Sequence, residues 1–157
     1  MKTNIGISEG DRKEVSEQLS KLMADEFVLY TKTRNAHWNI EDQNFHTMHI
    51  FFEEQYKVLD QMIDSVAERI RKIGHYAPAT LTLILKLTHL TEQNERENTS
   101  SGFLKELLAD HESIIEFIRG NINSIATDYH DLGTSDFLTS LIESHEEMAW
   151  MIRAHFR

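Results

Sequence analysis

The sequence predicts an all-α fold, a bundle of four long helices with one long crossover that holds a short helix between helices two and three. Three observations predict it. One proline and six glycines in 157 residues leave helices almost uninterrupted. Apolar residues recur at steps of three and four along four separate stretches. Between the second and third of these runs a connection of about 25 residues, too long for a simple hairpin in a compact domain.

The first helix opens at Ser8, which with Asp11 makes a capping-box pattern, and carries Val15, Leu19, Leu22, Met23, Phe27 and Tyr30 on one face as far as about Trp38. Residues 1–8 are a short tail. The segment "NIEDQNF" turns the chain. A second helix carries Phe45, His49, Phe52, Tyr56, Leu59, Ile63, Val66, Ile70 and Ile73 and stops at Gly74. In the connection, Leu81, Leu83, Leu85 and Leu87 alternate as a strand would, yet one strand has no partner elsewhere in the chain. A short helix packed on a neighbouring subunit is the better expectation. The third long helix opens near Ser101 and runs through Phe103, Leu107, Ile114, Ile118 and Ile125. The fourth opens near Thr134 or Ser135 and uses Phe137, Leu138, Leu141, Ile142, Met148 and Ile152.

A chain of this length builds one domain, residues 1–157, and no repeat or linker divides it. It carries 26 acidic against 16 basic residues, a formal charge of −10, which disfavours a dominant nucleic-acid surface and favours attraction of cations. No run approaches the roughly 18 apolar residues of a membrane span, and "MKTNIGISEGDRK" lacks a signal-peptide core, so a cytoplasmic location is expected. The absence of cysteine removes disulfides and thiolate ligands. A metal site must therefore use histidine, carboxylate and water.

The stretch "RNAHWNIEDQNFHTMHIFFEEQ" places His37 at the end of helix one and His49 near the start of helix two, so the turn brings two imidazoles to one end of a hairpin. Glu53, one turn after His49, can add a carboxylate there. Further along, Asp64 and Glu68 share a face at a spacing that lets both point at one cation. Taken alone they also read as a solvated face with Arg69, Arg71 and Lys72, just as a single helical histidine beside Trp38 reads as a packed core group. His49 and Asp64 lie fifteen residues apart on one helix, about 22 Å along its axis at roughly 1.5 Å per residue, and cannot share an ion within one chain. Two hairpins related by a two-fold axis could bring the histidines of one to the carboxylates of the other. Imidazole with carboxylate oxygen and no sulfur suits iron(II), with zinc, cobalt and manganese as competitors. His46, His75, His89, His111, His130, His145 and His155 have no carboxylate partner that can be placed from the sequence and are read as structural or surface groups.

At "HWN", at the second histidine twelve residues on, and at "DSVAER", the chain resembles the Dps family, the mini-ferritins also called DNA-binding proteins from starved cells. The resemblance covers most of the chain. It implies a ferritin-like subunit, assembly into a hollow dodecamer with sites at two-fold dimer interfaces, and ferroxidase activity: oxidation of Fe(II) to Fe(III), preferably by hydrogen peroxide, with the ferric mineral stored inside. His37 and His49 from one subunit and Asp64 and Glu68 from its mate would be the ligands. Glu53 stands where many members carry aspartate. Trp38 lies beside the site in these proteins and intercepts oxidising equivalents there, although a packed interface aromatic would look the same. Asp128, Asp131 and Asp136 resemble the carboxylates of the family's three-fold iron pores, or else form an ordinary solvated turn at a helix start.

DNA would then be protected chemically, by removing the iron and peroxide that make hydroxyl radical. Members that coat DNA commonly use a lysine-rich terminus, whereas this chain offers Lys2, Arg12 and Lys13 beside Glu9, Asp11 and Glu14, and ends at Arg157. Weak or absent DNA binding is expected. The alternative is a nucleoid-coating protein with structural histidines, which predicts salt-sensitive DNA retention and no saturable iron oxidation. A bundle holding zinc for stability alone is a third reading.

Overall fold

The computed structural model describes residues 3–92 and 97–156; Lys2 and Arg157, counted above among the cations, lie outside them. Five helices follow in order: α1 (Glu9–Asn39), α2 (Phe45–Lys72), α3 (Leu81–Leu87), α4 (Ser100–Thr127) and α5 (Leu132–Arg153), closed by a 3₁₀ turn at Ala154–Phe156. No strand occurs among the described residues.

The starts of α1, α4 and α5 have local causes. Ser8 accepts from the Asp11 amide at 3.1 Å, as the capping pattern predicts, and Thr99 accepts from the Gly102 amide at 3.2 Å to open α4. Helix α5 begins at Leu132 rather than at Thr134 or Ser135, because Asp131 is its cap and accepts from the Thr134 amide at 2.9 Å. Helix α2 stops where Gly74 adopts φ 98°, a left-handed conformation that returns the His75 amide to the Ile70 carbonyl at 3.1 Å.

Helices α1 and α2 form one hairpin and α4 and α5 another. Phe52, early in α2, meets Phe103, early in α4, with ring centroids 6.1 Å apart, so these helices begin at the same end of the bundle. Only a crossover delivers that arrangement. The alternating leucines of the crossover are helical as α3, capped by Thr80 and anchored by buried Ile84 against Ala24 and Val28. Leu81, Leu83 and Leu85 remain exposed, and Leu81 and Leu85 border a groove of about 240 Å³ with Phe27 and Val28.

Two buried charges of α1 fasten the crossover. Asp25 accepts from the Thr88 hydroxyl at 2.7 Å and the His89 amide at 2.9 Å. Lys32 donates to the Thr91 carbonyl at 2.9 Å while pairing with Glu106 at 2.9 Å and Asp110 at 2.5 Å on α4. Beneath them one continuous core of Leu19, Leu22, Phe52, Leu59, Phe103, Leu107, Ile114, Leu138 and Leu141 unites the four long helices.

Candidate metal centre

The hairpin between α1 and α2 brings His37 and His49 face to face, ring centroids 3.7 Å apart and 21° from parallel. Each ring is fixed by the other residue's backbone. His37 Nδ1 donates to the His49 carbonyl at 2.8 Å, and His49 Nδ1 donates to the His37 carbonyl at 2.7 Å. The His37 carbonyl is free for this because it lies in the last turn of α1, beyond which no helical amide reaches it. A carbonyl only accepts, so each Nδ1 carries the proton and each Nε2 keeps its lone pair. Such backbone restraint is what orients imidazoles that bind metals.

Glu53, one turn along α2, completes a cluster: one donor atom from each of His37, His49 and Glu53 lies within 4.8 Å of the others. Lys57 holds the Glu53 carboxyl below the usual carboxylate range, by its hydrogen bond first and its charge second, and the two imidazoles add smaller attractions. The donor set of two neutral imidazole nitrogens and one carboxylate fits a divalent first-row cation. Three protein donors leave such an ion short of its usual coordination.

Aromatic groups flank the cluster. Tyr56 meets His37 edge-on at 5.2 Å, and Arg34 stands 4.6 Å from the Tyr56 ring and 4.8 Å from Trp38, which is 61% exposed. Arg34 also donates to the Tyr30 hydroxyl at 2.7 Å. Trp38 stands out in the sequence, but nothing there marks this cation between rings.

Asp64 and Glu68 are exposed on α2, an unbroken helix, and the fifteen residues from His49 keep them about 22 Å away along its axis. Glu68 pairs with Lys72 at 3.0 Å. Arg69 leaves that face to reach Asp131 at 3.0 Å and Thr134 at 2.8 Å. Asp128 and Asp136 are exposed, whereas Asp131 is buried and its carboxylate is taken up by Arg69 and the α5 cap.

Several histidines do have carboxylate partners, contrary to the expectation from sequence. His145 meets Glu26 at 2.6 Å and His89 meets Asp25 at 2.7 Å. The signal for the first was available. Glu26 and His145 occupy positions on the apolar stripes of their helices, Leu22–Met23–Glu26–Leu29 and Leu141–Ile142–His145–Met148, where an ionisable group requires a buried partner.

Residues 16–157 match the Ferritin family, a ferritin-like domain. The chain is 36% identical over 151 residues to an uncharacterized low temperature-induced protein of Nostoc sp., covering 96% of this chain and 84% of that one. It is 36% identical over 142 residues to DNA protection during starvation protein 2 of Bacillus anthracis, with 90% and 96% covered. The Dps protein of Vibrio cholerae O1, described as one of a broad superfamily of ferritin-like diiron-carboxylate proteins, superposes with a TM-score of 0.92 at 27% identity, over 100% of this chain and 98% of that one. The Dps of Thermosynechococcus elongatus gives 0.88 at 28% identity over 94% and 93%. On its crossover topology and these likenesses, the chain belongs to the ferritin-like family and, within it, to the Dps proteins.

Proposed function

We propose that this protein oxidises iron(II) at centres completed between two subunits and keeps the ferric product in a hollow shell. The observation that carries this reading is the half-built site: two imidazoles with free Nε2 lone pairs and one ionised carboxylate, with the matching carboxylates about 22 Å away on the same helix. A two-fold mate with its α2 antiparallel supplies Asp64 and Glu68 from the other end, displacing Lys72 from Glu68 as the cation arrives. The exposed leucines of α3 give such assembly an apolar surface to cover.

Iron is the substrate. His37 and His49 bind it through Nε2, their Nδ1 protons held by backbone, while Glu53, Asp64 and Glu68 neutralise its charge and favour the ferric product. Each of two iron(II) ions gives one electron, and peroxide, taking both with two protons, leaves as two waters. No hydroxyl radical is released on that route, and zinc or other divalent ions compete for the same donors.

Asp128 and Asp136 are the exposed candidates for an iron pore, whereas Asp131 between them is buried as the α5 cap and bound by Arg69. Protection of DNA is chemical in this reading, because the two described basic groups at the amino end, Arg12 and Lys13, already have partners. Arg12 is 3% exposed and donates to the Ile73 carbonyl at 2.9 Å, and Lys13 stands 3.7 Å from Glu17. The proposed location is the cytoplasm or the nucleoid; among the described residues no helix is long and apolar enough to cross a membrane.

The test is anaerobic addition of iron(II) followed by a peroxide pulse, recording ferric absorbance and spin-trapped hydroxyl radical for the parent and for an assembled Asp64→Ala, Glu68→Ala double variant. Rapid oxidation without radicals in the parent alone supports the intersubunit site. Equal behaviour of the two refutes it.

A further inference from the structure

The bundle buries a second set of titratable groups that the metal centre does not use. Glu26 of α1, His111 of α4 and His145 of α5 are all 0% exposed. His145 is held at both nitrogens, with Nε2 2.6 Å from Glu26 Oε1 and Nδ1 2.9 Å from His111 Nδ1. The groups form a chain rather than a pocket, and its links are hydrogen bonds that cross the middle of the molecule.

The proton count of this chain is restricted by geometry. A contact between two imidazole nitrogens at 2.9 Å holds one proton. Without it two lone pairs face each other; with two protons, two N–H groups collide. The Glu26 carboxylate takes an N–H from His145 Nε2, so a charge-neutral chain has His145 protonated on both nitrogens and donating to a neutral His111. His111 then carries its own proton on Nε2, which has no hydrogen-bond partner. Burial first, and the neighbouring His145 second, hold His111 well below the ordinary imidazole range.

Other charges near the chain have other partners. On α1, Asp25 is engaged by Thr88 and His89, and Lys32 by Glu106 and Asp110 of α4. The buried residues of α2 are apolar apart from Gln55, and α5 buries no ionisable group besides His145. A second proton on the histidine pair therefore finds no fresh carboxylate.

We propose that Glu26, His145 and His111 form an acid-operated latch: one shared proton ties α4 to α5 and α1 near neutral pH, and a second proton breaks the Nδ1–Nδ1 bond and loosens the bundle from within. The sign follows from linkage. The unfolded chain protonates His111 near 6.5 and the folded chain only at lower pH, so its contribution is intact above about pH 6.5 and is lost as pH falls below it. Asp110, whose carboxyl is pushed up by burial, acts in the opposite sense and does not produce this loss.

The experiment is melting temperature against pH for the full-length protein and for His111→Gln, whose amide oxygen accepts from His145 and takes up no proton. The wild-type Tm is expected to start its acid decline about one pH unit above that of the variant. Superimposable curves overturn the latch. Should the variant not fold, ¹⁵N-histidine solid-state NMR of the wild type decides instead, since imidazole shifts report protonation in particles of any size. The latch requires one histidine pair still sharing a proton at about pH 5 in the folded protein, where an ordinary imidazole is charged. Complete conversion to imidazolium with the bundle intact overturns it.

Discussion

Two pairs of histidines, built from the same side chains in the same bundle, have opposite chemistry. In the hairpin pair, His37 and His49 spend their Nδ1 protons on each other's backbone carbonyls and leave both Nε2 atoms free beside Glu53. In the core pair, His145 uses both nitrogens on other side chains, and its carboxylate partner is fully buried. A free lone pair on each ring, beside a half-buried carboxylate, suits the first to holding a cation. Saturation of His145 inside the core makes the second a structural joint. The presence of histidine with carboxylate, which both share, decides neither.

Substitutions should separate them by what they damage. The largest effect is expected for His145→Leu, which strands the Glu26 carboxylate in the core and should cost about 3–5 kcal/mol in chemical denaturation; a loss below about 1 kcal/mol would show that Glu26 is content without its donor. Next, His49→Ala should weaken cobalt(II) or zinc(II) binding by about 100-fold in calorimetric titration while shifting stability by less than about 1 kcal/mol. The reverse pattern would make the hairpin pair a packing feature. A smaller change is expected for Lys57→Met. With its restraint gone, Glu53 returns towards the usual carboxylate range, so the acid limb of metal binding moves to higher pH while affinity near neutral pH rises about two- to fivefold. An unchanged pH profile would remove Lys57 from the account. The smallest effect belongs to replacing the whole core chain, Glu26→Met with His111→Leu and His145→Leu, which leaves no charge unpaired and should change stability by about 1 kcal/mol or less near neutral pH. Severe destabilisation there would mean that the chain supplies net stability rather than a restraint.

Most of the scaffold was legible because helices write their faces into a single period. The α2 stripe from Phe45 to Ile73 and the capping of α1 by Ser8 are local properties, and both stand where the spacing put them. The start of α5 was misplaced because Thr134 and Asp131 both make good caps, and only the pairing of Asp131 with Arg69, far along the chain, favours the earlier one. The meeting of His37 and His49 was legible for a similar reason, since a short turn forces one towards the other. The pairing of Glu26 with His145 was not, because 119 residues separate them and no periodicity links one helix's polar position to another's. The stripes show only that each occupies an apolar face.

The fastening of the crossover sets an order of events. Lys32 holds the Thr91 carbonyl while Glu106 and Asp110 of α4 neutralise it, so this anchor of the crossover waits on a helix that lies later in the chain. A ribosome has to release α4 before that clasp can close, and an unfinished chain presents its α3 leucines without it. In the proposed assembly through α3, subunits would meet on a surface whose Lys32 clasp closes only after the second hairpin has docked.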